Sequence, residues 1–267
     1  AKGDLAAAEP LCREALEGLR ETLGNRHPHT LISIDNFAMV LQDKGDLAAA
    51  EPLFHEALEV KRETIGSRHP STLISINNVG MLLKAKGDLD AAGQLLHEAL
   101  EVSRKTLGNR HPDTLISINN LASLSNEKGD LAAAELLFHE ALELSRETLG
   151  NRHKDTLISI NNLGMVLDDQ GNVDAAEPLL REALEARRET LGSRHPSTLN
   201  SISNVGMLLQ EKGDLVAAEP LLRETLQGRR ETLGNRHKDT LISIENLGRL
   251  LQDKGDLVAA GLVLLAN

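Results

Sequence analysis

Apolar positions along this chain recur at three- and four-residue intervals, the spacing that lines one face of an α-helix. From Leu73 to Leu83 they mark one such face, and Gly87 closes it. Pro70 stands where a first helical turn would begin, a position at which its missing N–H costs nothing. Lys86 falls in the last turn, where a cation complements the helix dipole. Asp88 then reads as the N-cap of a second helix that reaches Leu107 and stops at Gly108. We designate the first helix of such a pair A and the second B.

The pair repeats. Gly-Asp recurs at Gly3-Asp4, Gly45-Asp46, Gly87-Asp88, Gly129-Asp130, Gly213-Asp214 and Gly255-Asp256, with Gly171-Asn172 in the remaining slot, a fixed period of 42 residues. Self-similarity of this length means stacked supersecondary units in place of a conventional domain. We expect one all-α repeat array over residues 1–267 that opens and closes in a B helix, as a segment of a longer array would. Pro10, Pro52, Pro178 and Pro220 fall about a turn and a half into helix B, where each removes a backbone hydrogen bond; a bend is expected there, not a break.

Small residues then recur at fixed places. Asn162-Leu163-Gly164 and Leu167 precede Gly171, followed by Ala176, Leu180 and Ala183. This pattern resembles the tetratricopeptide repeat, in which a small residue of helix A faces two alanines of helix B. The 42-residue period, the His-Pro before helix A and the Asn-Asn pair are similar to the kinesin-light-chain subtype. The resemblance covers essentially the whole chain and implies a right-handed α-α superhelix of stacked antiparallel helix pairs. The chain departs from the family in its few aromatics (Phe37, Phe54 and Phe138), and in Ser125 and Thr225, which stand where other repeats have Leu and Ala.

Helix A carries two faces. Ile160, Leu163, Gly164 and Leu167 form one stripe, the expected core. Opposite lie Ile158, Asn161, Asn162, Met165, Asp168 and Asp169. All four methionines, Met39, Met81, Met165 and Met207, occupy one slot of this second face. Beside them runs a ladder of Asn36, Asn78, Asn120, Asn162, Asn204 and Asn246. The preceding position varies: Asp35, Asn77, Asn119, Asn161, Ser203 and Glu245. The resemblance implies that helix A lines a concave surface and that these positions hold a peptide. Asn matches peptide backbone with both donor and acceptor, and Met is adaptable. The variable position is expected to face ligand. The alternative is that Met and Ile pack against the next A helix and Asn bonds within the stack.

Charge and composition narrow the partner. A net charge of −11 argues against nucleic acid, and with neither Trp nor Tyr there is little for bases to stack on. On the second face of helix A, Asp35, Asp43, Glu127, Asp168, Asp169, Glu211, Glu245 and Asp253 outnumber Lys84 and Arg249, so a neutral or basic segment is expected. Cys12 is the sole cysteine, and no apolar run approaches a membrane span, so no membrane partner and a cytoplasmic location are expected.

Candidate chemistry is sparse. Arg-His precedes every A helix, as at Arg68-His69 and Arg194-His195. It reads either as an anion row or, preferably, as His capping helix A with Arg paired to Glu. His55, His97 and His139 begin His-Glu-x-x-Glu stretches, but Arg13, Arg181 and Arg223 fill the same slot and Arg is no zinc ligand. No phosphate-cradling glycine motif or nucleophile–base arrangement stands out, so neither catalysis nor a cofactor is expected. The expectation is a protein-interaction scaffold. Alternatives are an array that self-associates end to end, or the regulatory repeats of a signalling NTPase or motor.

Overall fold

The computed structural model describes residues 5–256, the Ala6 side chain excepted. The predicted Gly3-Asp4 start and the B helix after Asp256 lie outside the described residues. Twelve helices and no strands occur among those described: α1 (Leu5–Leu23), α2 (Pro28–Asp43), α3 (Leu47–Ile65), α4 (Pro70–Ala85), α5 (Leu89–Thr106), α6 (Pro112–Glu127), α7 (Leu131–Leu149), α8 (Lys154–Asp169), α9 (Val173–Leu191), α10 (Pro196–Glu211), α11 (Leu215–Leu233) and α12 (Lys238–Asp253). Even numbers are A helices and odd numbers B helices. The array divides between Leu144 and Ser145, within α7, into two compact units.

Capping chemistry sets the helix starts. Each A helix begins after a histidine whose Nδ1 accepts a backbone N–H two residues on, as His69 does from Ser71 and His195 from Ser197, both at 3.2 Å. The Asp46, Asp88 and Asp214 carboxylates cap α3, α5 and α11, each accepting the N–H three residues on at 3.1 Å. Asn172 holds the corresponding place before α9 but its side chain makes no capping bond. Between helices the chain reverses at Gly87, whose φ of 85° suits glycine. Pro10, Pro52, Pro178 and Pro220 all sit inside unbroken helices, so one lost hydrogen bond is tolerated.

The small residues set the spacing of the pairs. Ala38 and Ala122 of helix A, and Ala50, Ala92, Ala134, Ala176 and Ala218 of helix B, are fully buried. Gly80, Gly164 and Gly206 lie against leucines: a Cβ added at Gly164 would stand 2.8 Å from Leu180 Cδ2 and 3.5 Å from the Ala176 carbonyl oxygen. The glycine therefore makes room for a leucine side chain and the alanine's backbone, where the sequence had suggested the alanine side chains themselves. Ile160, Leu163, Gly164 and Leu167 are buried as their spacing predicts.

The two sides of each stack are built differently. In the first unit α4 packs directly on α6, and in the second α8 and α12 pack on α10. Successive B helices are linked instead by long side chains, with Arg62 reaching Glu98 at 3.0 Å and Arg188 reaching Glu224 at 2.6 Å. Short-range A–A packing against long-reach B–B bridging puts the A helices on the inner side of each unit.

Candidate functional site

The inner face of each unit carries an apolar stripe. In the first unit Ile32, Ile74 and Ile116 are exposed at one slot of successive A helices, Ile74 by 42 %. In the second unit Ile158 and Ile242 are exposed, and Asn200 takes the place between them. Met39 and Met207 are exposed, and Met81 and Met165 are half-buried. Exposed apolar side chains also recur at the ends of the B helices, as at Leu23, Ile65 and Leu191, so exposure alone does not single out the A-helix face.

The asparagines divide their roles. Asn36 is exposed, and Asn78, Asn120, Asn162, Asn204 and Asn246 are half-buried beside the stripe. Some bond across repeats: Asn120 donates to Asn77 Oδ1 and Asn204 to Asn161 Oδ1, each at 3.1 Å, while Asn246 Nδ2 approaches Met207 Sδ at 3.3 Å. The ladder is thus knit into the stack, and part of it reaches the surface.

The variable position differs from one repeat to the next in its exposure. Asn77 is 4 % exposed, and its amide donates to the Leu73 carbonyl at 3.1 Å and to Ser117 Oγ at 2.8 Å. Asn119 donates to the Leu115 carbonyl at 3.0 Å, and Asn161 accepts from Arg187 at 3.3 Å. Asp35 and Ser203 are buried too. Three of the variations accompany cations of helix B: Asp35 pairs with Lys61, Asn161 meets Arg187, and Arg229 occupies the same slot one repeat later. Asn77 is therefore turned into the stack, whereas Asn161 and Ser203 help line the cleft of the second unit and Glu245 is exposed.

Those cations were missed in the sequence because they lie on helix B. The slot holds Leu19, Lys61, Ser103, Ser145, Arg187 and Arg229, so the cations are interspersed with Leu and Ser and form no uniform pattern. Lys61 Nζ also donates to Ser75 Oγ at 2.8 Å. Burial pushes the Asp35 carboxyl above its ordinary range against the opposing pull of Lys61. In the second unit Ile158, Asn162, Arg187, Asn204, Met207 and Arg229 help line an open cleft of about 450 Å³. At the C-terminal ends of its A helices sits an acidic edge. There burial, with Glu211 and Asp169 nearby, raises the Asp168 carboxyl to about 6.

The remaining candidates resolve into structure. Arg26 pairs with Glu63 at 3.0 Å and Arg194 with Glu231 at 2.6 Å, so the Arg-His row caps and bridges as preferred. Arg181 and Arg223 pair with Glu177 and Glu219 four residues before them, and His139 with Glu143. Among the described residues no group of three or more His, Cys, Asp or Glu could hold a metal ion. No helix among them is long and apolar enough to cross a membrane.

Helix pairs repeated at a fixed period and stacked on one another within each unit define an all-α repeat protein of the interaction-scaffold class. The tetratricopeptide repeat model matches residues 1–63, 30–92, 71–147, 118–189, 155–230 and 197–260, and the chain belongs to that family. Its fold is similar to the crystal structure of the Podosopora anserina putative kinesin light chain with nearly identical TPR-like repeats. That match has 28 % identity and a TM-score of 0.62, covering 78 % of this chain and 98 % of that one. BtubC (BKLC) from P. vanneervenii is similar in fold at 22 % identity and a TM-score of 0.69, over 88 % of this chain and 94 % of that one. The apo form of RapI shares the fold at 16 % identity and a TM-score of 0.60, over 96 % and 94 %. No curated protein matches the chain at significant similarity.

Proposed function

We propose that each unit binds an extended peptide segment along its A-helix face. The observation that carries this reading is the exposed isoleucine stripe, present on five of the six described A helices beside surface-reaching amides. Isoleucine and methionine supply apolar contact, and Asn78, Asn120, Asn162, Asn204 and Asn246 supply donors and acceptors for a peptide backbone. Asn36 and Met39 continue the same surface at its start. The acidic edge of Asp168, Asp169, Glu211 and Asp253 favours a segment whose overall charge is neutral or basic.

Selection of peptides from a random display library on the intact chain tests this. Enriched peptides of neutral or basic composition should lose about tenfold or more in affinity for an Ile74→Asp, Ile158→Asp variant, since hydrophobic contacts at an interface centre dominate binding. They should bind an Arg181→Ala, Arg223→Ala variant of the outer surface unchanged. Equal binding to the groove variant refutes the reading.

A further inference from the structure

The stripe of the second unit is interrupted at its middle. Ile158 and Ile242 hold their slot on α8 and α12, but on α10 that slot is Asn200, the one polar residue among the six repeats. Asn200 is exposed and lines the cleft together with both isoleucines. A peptide backbone presents the same groups at every step, so contact with backbone would call for the same residue in every repeat. A change confined to one repeat answers a side chain of the partner.

Two arginines beneath the cleft set which end of each amide is free. Arg187 and Arg229 are 6 % and 7 % exposed, and every bond they make among the described residues goes to a neutral oxygen of the chain itself. A guanidinium only donates, so the amides beside it turn their oxygens towards it. Arg229 holds Asn200 Oδ1 at 2.7 Å, and Arg187 holds Asn161 Oδ1 at 3.3 Å. Arg187 also donates to the Leu157 carbonyl at 3.1 Å. In the first unit the equivalent carbonyls of Leu73 and Leu115 accept the amides of Asn77 and Asn119, so Arg187 has taken the acceptor that Asn161 would otherwise use. Among the described residues neither Asn161 Nδ2 nor Asn200 Nδ2 therefore donates to anything. Asn204 is the converse, with Nδ2 given to Asn161 and Oδ1 left free. Asn200 and Asn204 stand four apart on α10 and so lie on one face, a turn from each other.

Two donors and one acceptor thus face the cleft. Water serves them while it is open, and a segment that covers it must replace those bonds. A carboxylate has no hydrogen for Asn204 Oδ1. A hydroxyl holds its donor and acceptor on one atom, whereas a primary amide separates them, as Asn200 and Asn204 do. We infer that the second unit's cleft takes the side-chain amide of an asparagine or glutamine of the bound segment, flanked by apolar residues that meet Ile158 and Ile242. Asn200 is then the residue that sets register, with Arg187 and Arg229 as positioning residues that contact no ligand. This deepens the groove reading and rests on it.

The test is selection from a random peptide display library on the intact chain carrying Ile74→Asp, which interrupts the stripe of the first unit. Selected peptides that lose binding when Ile158→Asp is added should carry asparagine or glutamine between two apolar residues. A copy with leucine in place of that amide should bind about tenfold more weakly, the scale of one lost hydrogen bond. Asn200→Asp still accepts from Arg229 but has no N–H to give, and should weaken the amide peptide by a similar factor. Asn200→Ile installs the residue of the other A helices and should reverse the order, favouring the leucine copy. Equal affinity for the amide and leucine copies, an unchanged order on Asn200→Ile, or tighter binding of a glutamate copy would each overturn the amide subsite. Peptides that need Ile158 yet show no amide preference would refute the subsite and leave the groove reading standing. Peptides indifferent to Ile158→Asp would refute the groove reading, and the subsite with it.

Discussion

At the scale of single residues, the tightest constraint is the glycine of helix A. A methyl at Gly164 would stand 2.8 Å from both Leu180 Cδ2 and Cγ, too close for contact. Gly164→Ala should therefore destabilise by about 1–3 kcal/mol, the usual cost of overpacking. The sequence suggests its own remedy. Alanine in this slot accompanies phenylalanine sixteen places on, as Ala38 with Phe54 and Ala122 with Phe138, while Gly80, Gly164 and Gly206 accompany Leu96, Leu180 and Leu222. Denaturant titration of Gly164→Ala with and without Leu180→Phe should show the second change restoring part of the loss; strictly additive losses would refute this pairing. Asp168 offers a second test. Its folded-state pKa of about 6 exceeds that of a free aspartate, so the folded chain binds the extra proton and loses stability as pH rises through that range. Asp168→Asn should raise the melting midpoint at pH 7 by the equivalent of about 1 kcal/mol or less, given the group's solvent screening, and change it little at pH 4. A basic peptide at this edge should bind more weakly below pH 6, once the carboxyl is protonated.

Helices and their ends were the part most legible in the sequence, because they depend on local chemistry. Pro70 announces a helix start, and the adjacent Gly87 and Asp88 a reversal and a cap, and the structure uses all three as read. The caps also differ testably. Asp214→Ala should cost about 1 kcal/mol, the usual worth of a cap, whereas Asn172→Ala should cost far less because Asn172 makes no capping bond. Thermal denaturation of the two variants compares them directly. What the sequence hid was the meeting of side chains from different helices. The variation Asp35, Asn161, Ser203 looks like ligand selection until Lys61, Arg187 and Arg229 are seen, since those partners stand 26 residues further along in each case. Periodicity reports which face a residue occupies but not which neighbour it meets. For that reason Asn77 was read as a surface amide when it serves the stack.

At the scale of the whole molecule, a repeat array draws its stability from each pair and its interface with the next, and the surface it offers is repetitive for the same reason. Each unit presents the isoleucine stripe, but only the second combines it with buried arginines unpaired by carboxylate. Ionic strength should separate the two effects, with apolar contacts surviving added salt and the attraction of a basic segment for the exposed acidic edge falling. The central claim is that the A-helix face is where a partner lies. The chain holds only four methionines, all on that face, so methyl-¹³C-methionine labelling gives one spectrum with four reporters. Saturation with a library-selected peptide should shift the Met39 and Met81 signals, or those of Met165 and Met207, according to the unit it occupies. Full binding with all four signals unmoved would contradict the account.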